Sequence, residues 1–134
     1  MATRLSELLF IEILRSHMEA LSAEQGGWLA ALRDPLAGRA IQLIHAAPAE
    51  PWTVEALARR VGTSRSTLAG RFKALLGHPP MHYLGSWRIQ RATRHLLQDR
   101  IAIASIATAV GYESEAAFHR AFRRHMGESP GNWR

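Results

Sequence analysis

The chain has 134 residues, 47% of them hydrophobic, which is enough for one domain or two very small ones with a genuine core. It carries a formal charge of +6 and no cysteine, and nothing in it approaches the roughly 18 uninterrupted apolar residues of a membrane span. A disulfide framework, a thiolate metal site and a cysteine nucleophile are therefore excluded, and without a basic-then-apolar leader the expected address is cytoplasmic.

The first predicted element is an amphipathic helix within residues 1–30. Leu5, Leu8, Leu9, Phe10, Ile11, Ile13, Leu14, Met18 and Leu21 form a broad apolar stripe at helical spacing, and Gly26-Gly27 stops it. Such a stripe needs a cover. The sequence leaves open whether that cover is the rest of the chain, a second copy in a homodimer, or another domain. Next, Asp34 followed by Pro35 is a helix start, a capping acceptor ahead of a first-turn proline. Leu36, Ala40, Leu43 and Ile44 then share one face until Pro48 and Pro51. From Thr53 onward, apolar stripes of helical period are separated by turns at Gly62, Gly77 to Pro80, Asp99 to Arg100, Gly111 and Gly127 to Pro130. No run alternates as a strand does, so the expected fold class is all-α. Charge divides at the same place: residues 51–134 hold thirteen Lys or Arg against five acids, whereas residues 1–50 hold four Arg against six acids. A segment this basic attracts polyanions by counterion release.

The basic region repeats itself. Val54, Leu57, Ala58, Val61 and Gly62 recur 49 residues later as Ile103, Ile106, Ala107, Val110 and Gly111. Ser64, Leu68, Phe72, Gly77 and Pro80 recur 50 residues later as Ser114, Phe118, Phe122, Gly127 and Pro130. Each copy reads as helix, tight turn, helix, at about residues 53–77 and 102–127. A small Ala58 or Ala107 permits close helix contact, Gly62 or Gly111 supplies the positive φ of a short reversal, and Ser64 or Ser114 stands where an N-cap is wanted.

If Leu68 and Phe72, or Phe118 and Phe122, face inward, the opposite face of each second helix is free. In a helix-turn-helix the N-terminal part of that helix enters the major groove of DNA. The candidates for base edges are thus Arg65, Ser66, Ala69 and Gly70 in copy one and Glu115, Ala116, His119 and Arg120 in copy two. The candidates for phosphate are Ser64, Arg71 and Lys73 in copy one and Ser114, Arg123 and Arg124 in copy two. Copy two presents more base-reading side chains, which predicts an asymmetric target. Between the copies, residues 81–97 form a connecting helix with Tyr83, Leu84, Trp87, Ile89 and Leu96 apolar and Arg88, Arg91 and Arg94 basic. It must hold the two reading helices roughly 34 Å apart, one turn of DNA, or else the duplex bends.

From about Leu36 to Arg134 these residues resemble the DNA-binding domain of the AraC/XylS family of bacterial transcription regulators. The resemblance rests on Thr53-Val54-Glu55-Ala56-Leu57-Ala58, on Ser64 to Phe72 leading to Gly77, and on Tyr83 to Arg88 with Ala92 and Leu96-Leu97. The most specific block is Ile106-Ala107, Val110-Gly111-Tyr112, Phe118, Phe122, Gly127 and Ser129-Pro130. It implies a DNA-binding domain over residues 35–134 with seven helices and a central connector. It further implies binding to double-stranded promoter DNA through two adjacent major-groove segments, usually with activation by contact with RNA polymerase. Family members commonly add an N-terminal effector-sensing domain, ending in one branch in a helix similar to Arg4 to Glu19. The resemblance thus makes residues 1–30 the tail of a sensor or dimer region, with the effector bound elsewhere. Where relatives often carry long polar residues this chain has Ala69 and Gly70, so copy one is left with Arg65, Ser66 and thymine-methyl contacts.

Other chemistries fare worse. The seven histidines include the near pairs His78 and His82, and His119 and His125, but without cysteine or clustered acids a closed metal site lacks ligands. The acids are scattered, Ser64 and Ser114 are accounted for as caps, and no glycine-rich phosphate loop occurs, so neither an enzyme nor a cofactor is expected. Two alternatives stay open: an architectural DNA binder that does not discriminate sequence, and a helical protein-interaction module working through Leu5 to Leu21.

Overall fold

The structure, a computed structural model, describes residues 27–98 and 100–134. The stripe from Leu5 to Leu21 lies outside them. The described residues form eight helices: α1 (Gly27–Arg33), α2 (Pro35–Ala46), α3 (Val54–Val61), α4 (Arg65–Leu76), α5 (Pro80–Gln98), α6 (Ile103–Ala109), α7 (Glu115–Met126) and α8 (Pro130–Trp133). From Pro35 onward there are seven, and the fold is all-α. The short α1 was not expected, because Gly26-Gly27 reads as a stop. Its Ala31 is fully buried against α2 and α4, so residues 27–33 join the folded unit.

The helices divide into two lobes with separate cores. In the first, Ala37, Ala40, Ile41 and Ile44 of α2 meet Leu57, Ala58 and Val61 of α3, Leu68 and Phe72 of α4, and Leu84 of α5. In the second, Ile89, Ala92 and Leu96 of α5 meet Ile106 and Ala107 of α6, Val110 of the turn, and Phe118, Ala121 and Phe122 of α7. The connector α5 therefore serves both lobes, giving its first half to one core and its second half to the other. At its first-lobe end His45 stacks on Trp87 with ring centroids 3.8 Å apart, and a 2.6 Å hydrogen bond joins the His45 imidazole to the Tyr83 hydroxyl.

The caps follow the repeated sequence. Thr53 accepts from the Ala56 amide, Ser64 from Thr67, Ser114 from Ala117 and Ser129 from Asn132. Gly62 at φ 80° and Gly111 at φ 104° make the reversals between the paired helices, a conformation that a side chain would strain. The copies differ at one cap. Ala102 occupies the position of Thr53, and α6 starts without a side-chain acceptor. Asp34 closes α2 at its N-terminus, accepting from Leu36 N at 3.1 Å and Ala37 N at 2.9 Å.

Candidate nucleic-acid interface

In copy one, Leu68 and Phe72 anchor α4 in the core, and Arg65, Ser66, Thr67, Gly70 and Lys73 stand exposed on the other side. Ala69 is half-buried, so this surface is flatter than the sequence suggested. A Cβ added at Gly70 would meet nothing within 4 Å, so the flatness is not demanded by packing. Arg65 forms an ion pair with Glu55 of α3 at 3.0 Å, both side chains being more than half exposed. Such a pair contributes about 0–1 kcal/mol and exchanges readily for another acceptor.

Arg71 behaves differently. Its guanidinium sits on the Asp34 carboxylate, which is only 10% exposed and also caps α2. The side chain expected on phosphate is thus committed to joining α4 to α2. Ser64 is committed as well, accepting from the Thr67 amide and donating to the Thr67 hydroxyl at 2.8 Å.

In copy two, Phe118, Ala121 and Phe122 are buried, while Glu115, Ala116, Arg120, Arg123 and Arg124 are exposed. His119 is half-buried. Its Nε2 lies 3.4 Å from Glu115 one turn earlier, and its ring meets Phe118 edge-on. Arg120 and Arg123 are exposed, and among the described residues no hydrogen bond or ion pair holds either of them. Arg124 instead borders a cleft of about 470 Å³ between the lobes, beside Tyr112 and His125, and burial pushes the Tyr112 phenol up against the pull of Arg88 and Arg124. Ser114 acts as the cap of α7, like Ser64 in α4. The structure thus brings together Ser66, Gly70 and Lys73 on one helix and Ala116, His119, Arg120 and Arg123 on the other. It draws Arg71 and Arg124 aside.

Sequence reasoning passed over Thr67, which sits exposed beside Ser66 on α4 and could have been found from its place one residue along the same turn. The histidines do converge in part: His78 and His82 rings are 4.4 Å apart, and His82 and His125 5.5 Å. Burial lowers the pKa of His78 and His125, reinforced in each by the neighbouring His82. Among the described residues no group of three His, Cys, Asp or Glu could hold a metal ion. Nor is any helix among them long and apolar enough to cross a membrane.

A helix-turn-helix domain family matches residues 57–134, which takes in both copies of the motif from Leu57 onward. The chain is 33% identical to the AraC-type DNA-binding domain structure of a transcriptional regulator from Chromobacterium violaceum, with TM-score 0.69 over 75% of this chain and 89% of that one. The chain belongs to the AraC family of transcription regulators. The global transcriptional factor AdpA, solved as its DNA-binding domain in complex with a target DNA, is similar at 33% identity and TM-score 0.70, again over 75% and 89% of the two chains. An AraC-like transcription regulator of Streptomyces lividans is 44% identical over 99% of this chain. The chain spans 44% of the length of that relative. As a member of the AraC family it is a regulator rather than an enzyme.

Proposed function

We propose that residues 35–134 form a sequence-specific DNA-binding domain that reads two adjacent major-groove segments of a promoter, one with α4 and one with α7. The observation that carries this reading is the structural repeat: two serine-capped helices, each pinned by a buried Leu or Phe pair, present exposed polar faces from a strongly basic region. On α7, Arg120 and His119 face base edges, with Ala116 suited to a thymine methyl, and Arg123 takes phosphate. On α4, Arg65 released from Glu55, together with Ser66, Ala69 and Gly70, faces bases, while Lys73 takes phosphate. Glu115 orients His119. Arg71 is left out of the phosphate set because Asp34 holds it.

Family membership supports a further step, activation through contact with RNA polymerase. The residues that precede α1 are proposed to serve association or docking to a sensor domain. Selection of bound duplexes from a random pool, followed by titration of the selected site and a scrambled duplex across a salt series, tests the central reading. A bipartite motif bound about a thousandfold or more above scrambled sequence is expected. Equal affinities with equal salt slopes would mean a binder that ignores sequence.

A further inference from the structure

The two cores share the continuous helix α5 but no buried side chain, so beyond that helix it is contacts across the seam that bear on the angle between the lobes. Arg88, at the middle of α5, touches both sides of it. Its Nε donates to the Pro48 carbonyl at 2.8 Å and its Nη2 to the Glu50 carbonyl at 2.9 Å, both in the loop between α2 and α3. The same guanidinium lies 5.4 Å from the ring centroid of Tyr112, just after the turn of the second lobe.

The loop it grips is itself fixed. Trp52 donates through Nε1 to the Ala47 carbonyl at 2.9 Å and through its amide to the Glu50 carbonyl at 2.7 Å, and Arg60 lies over its ring. From the other side Gly111 comes in so close that a Cβ there would stand 2.8 Å from Ala49 Cα and 3.0 Å from Arg88 Cζ. Loop, guanidinium and turn form one stack across the seam. A planar fork can hold two carbonyls and an aromatic face at once, which an ammonium cannot. Half-buried as it is, the group is also costly to leave without these partners.

We infer that Arg88 is a positioning residue that fixes the distance and angle between the two recognition helices, so that the protein accepts its two target segments at a single spacing. This rests on the two-segment reading proposed above. Each added base pair moves the second segment by about 3.4 Å and turns it by about 35°, a change that a rigid pair of helices rejects and a loosened pair follows.

The test uses the full chain and has two arms. Because the chain has no cysteine, Ala74→Cys and Ala104→Cys, both on exposed helix positions in different lobes, take spin labels uniquely. Distances are then measured by double electron–electron resonance in the free protein with Arg88 and with Arg88→Met. The second arm selects bound duplexes from a random pool with each protein. With Arg88 a narrow distance distribution and a single spacing are expected. With Arg88→Met the distribution broadens, the same two motifs return at several spacings, and the affinity cost of one inserted base pair falls from about tenfold to about twofold. A folded Arg88→Met protein with an unchanged distance distribution and one spacing overturns the inference. If Arg88→Met loses its cooperative melt, Arg88→Lys, which keeps stem and charge, carries both arms under the same criteria. If the protein with Arg88 enriches no bipartite motif, the two-segment reading fails, and the spin-label distances alone decide whether Arg88 holds the lobes.

Discussion

Replacing Asp34 separates the two tasks that its carboxylate performs. The side chain accepts from two backbone amides at the start of α2 and pairs with Arg71 of α4. Losing an N-cap acceptor costs about 1 kcal/mol. The ion pair contributes up to about 1 kcal/mol, because Arg71 is 49% exposed and solvent screens it although Asp34 itself is largely covered. Asp34→Ala should therefore lose about 2 kcal/mol, which for a domain of this size lowers Tm by about 8 °C. Asp34→Asn keeps the cap and should lose less than about 1 kcal/mol. Urea titration followed by tryptophan fluorescence, with thermal melts by circular dichroism, measures both.

The pH dependence adds a second constraint. Burial raises the Asp34 pKa, but the amide of Ala37, the Arg71 guanidinium and the amide of Leu36 together outweigh it and hold the carboxyl below its ordinary 3.8. A depressed folded pKa means that the contribution is complete above the unfolded value and disappears as pH falls through the folded one. The gap between wild type and Asp34→Asn should stay constant from pH 7 to about 5 and close below about 4. Taking that difference removes the separate acid loss from His45, His78 and His125, whose folded pKa values lie below 6.5 and whose protonation destabilises the fold from about that pH downward. If Asp34→Asn were as damaging as Asp34→Ala, or if the gap widened in acid, the division between cap and ion pair would be refuted.

Three further outcomes are expected. Ala102→Ser, at an extended N-cap position that lacks a side-chain acceptor, should stabilise the protein by about 1 kcal/mol, and an unchanged urea midpoint would contradict it. Gly70→Ala, in the open middle of α4, should raise stability by about 0.5–1 kcal/mol in the same assay, since the glycine meets no neighbour that explains it. Arg120→Ala should weaken the selected site by about 1–3 kcal/mol at one or two base pairs, whereas Arg123→Ala should weaken all duplexes alike and reduce the salt slope by about one. Mutant-by-sequence binding titrations distinguish the two arginines, and a uniform loss for Arg120→Ala would move it to phosphate.

The paired motifs were legible in the sequence because each copy needs the same few things: a small residue where helices touch, a glycine at positive φ, a serine cap and two inward side chains one turn apart. Ala58 and Ala107, Gly62 and Gly111, and Ser64 and Ser114 announce these without reference to anything distant. What escaped depends on partners remote in sequence. Gly27 reads as a breaker, yet it opens α1, because Ala31 finds cover on α2 and α4. Arg71 looks like a groove cation until Asp34, 37 residues earlier, takes it. Arg88 sits in a run of basic residues on the connector, and only the fold brings it to carbonyls 38 and 40 residues away. Short-range pattern located the second helix of each motif, and long-range geometry decided which of their cations are held by partners within the fold.

The split of α5 between two cores has a consequence for how the protein comes apart. Its first turns are held by Leu84 among α2, α3 and α4, and its last by Ile89, Ala92 and Leu96 among α6 and α7. If one lobe opens while the other stays shut, the helix must end in mid-course, between Leu84 and Ile89. Amide exchange would then show two protection levels along one unbroken helix, with the step at the turn that contains Arg88. A continuous rod in the native state would thus be a joint between two cooperative units.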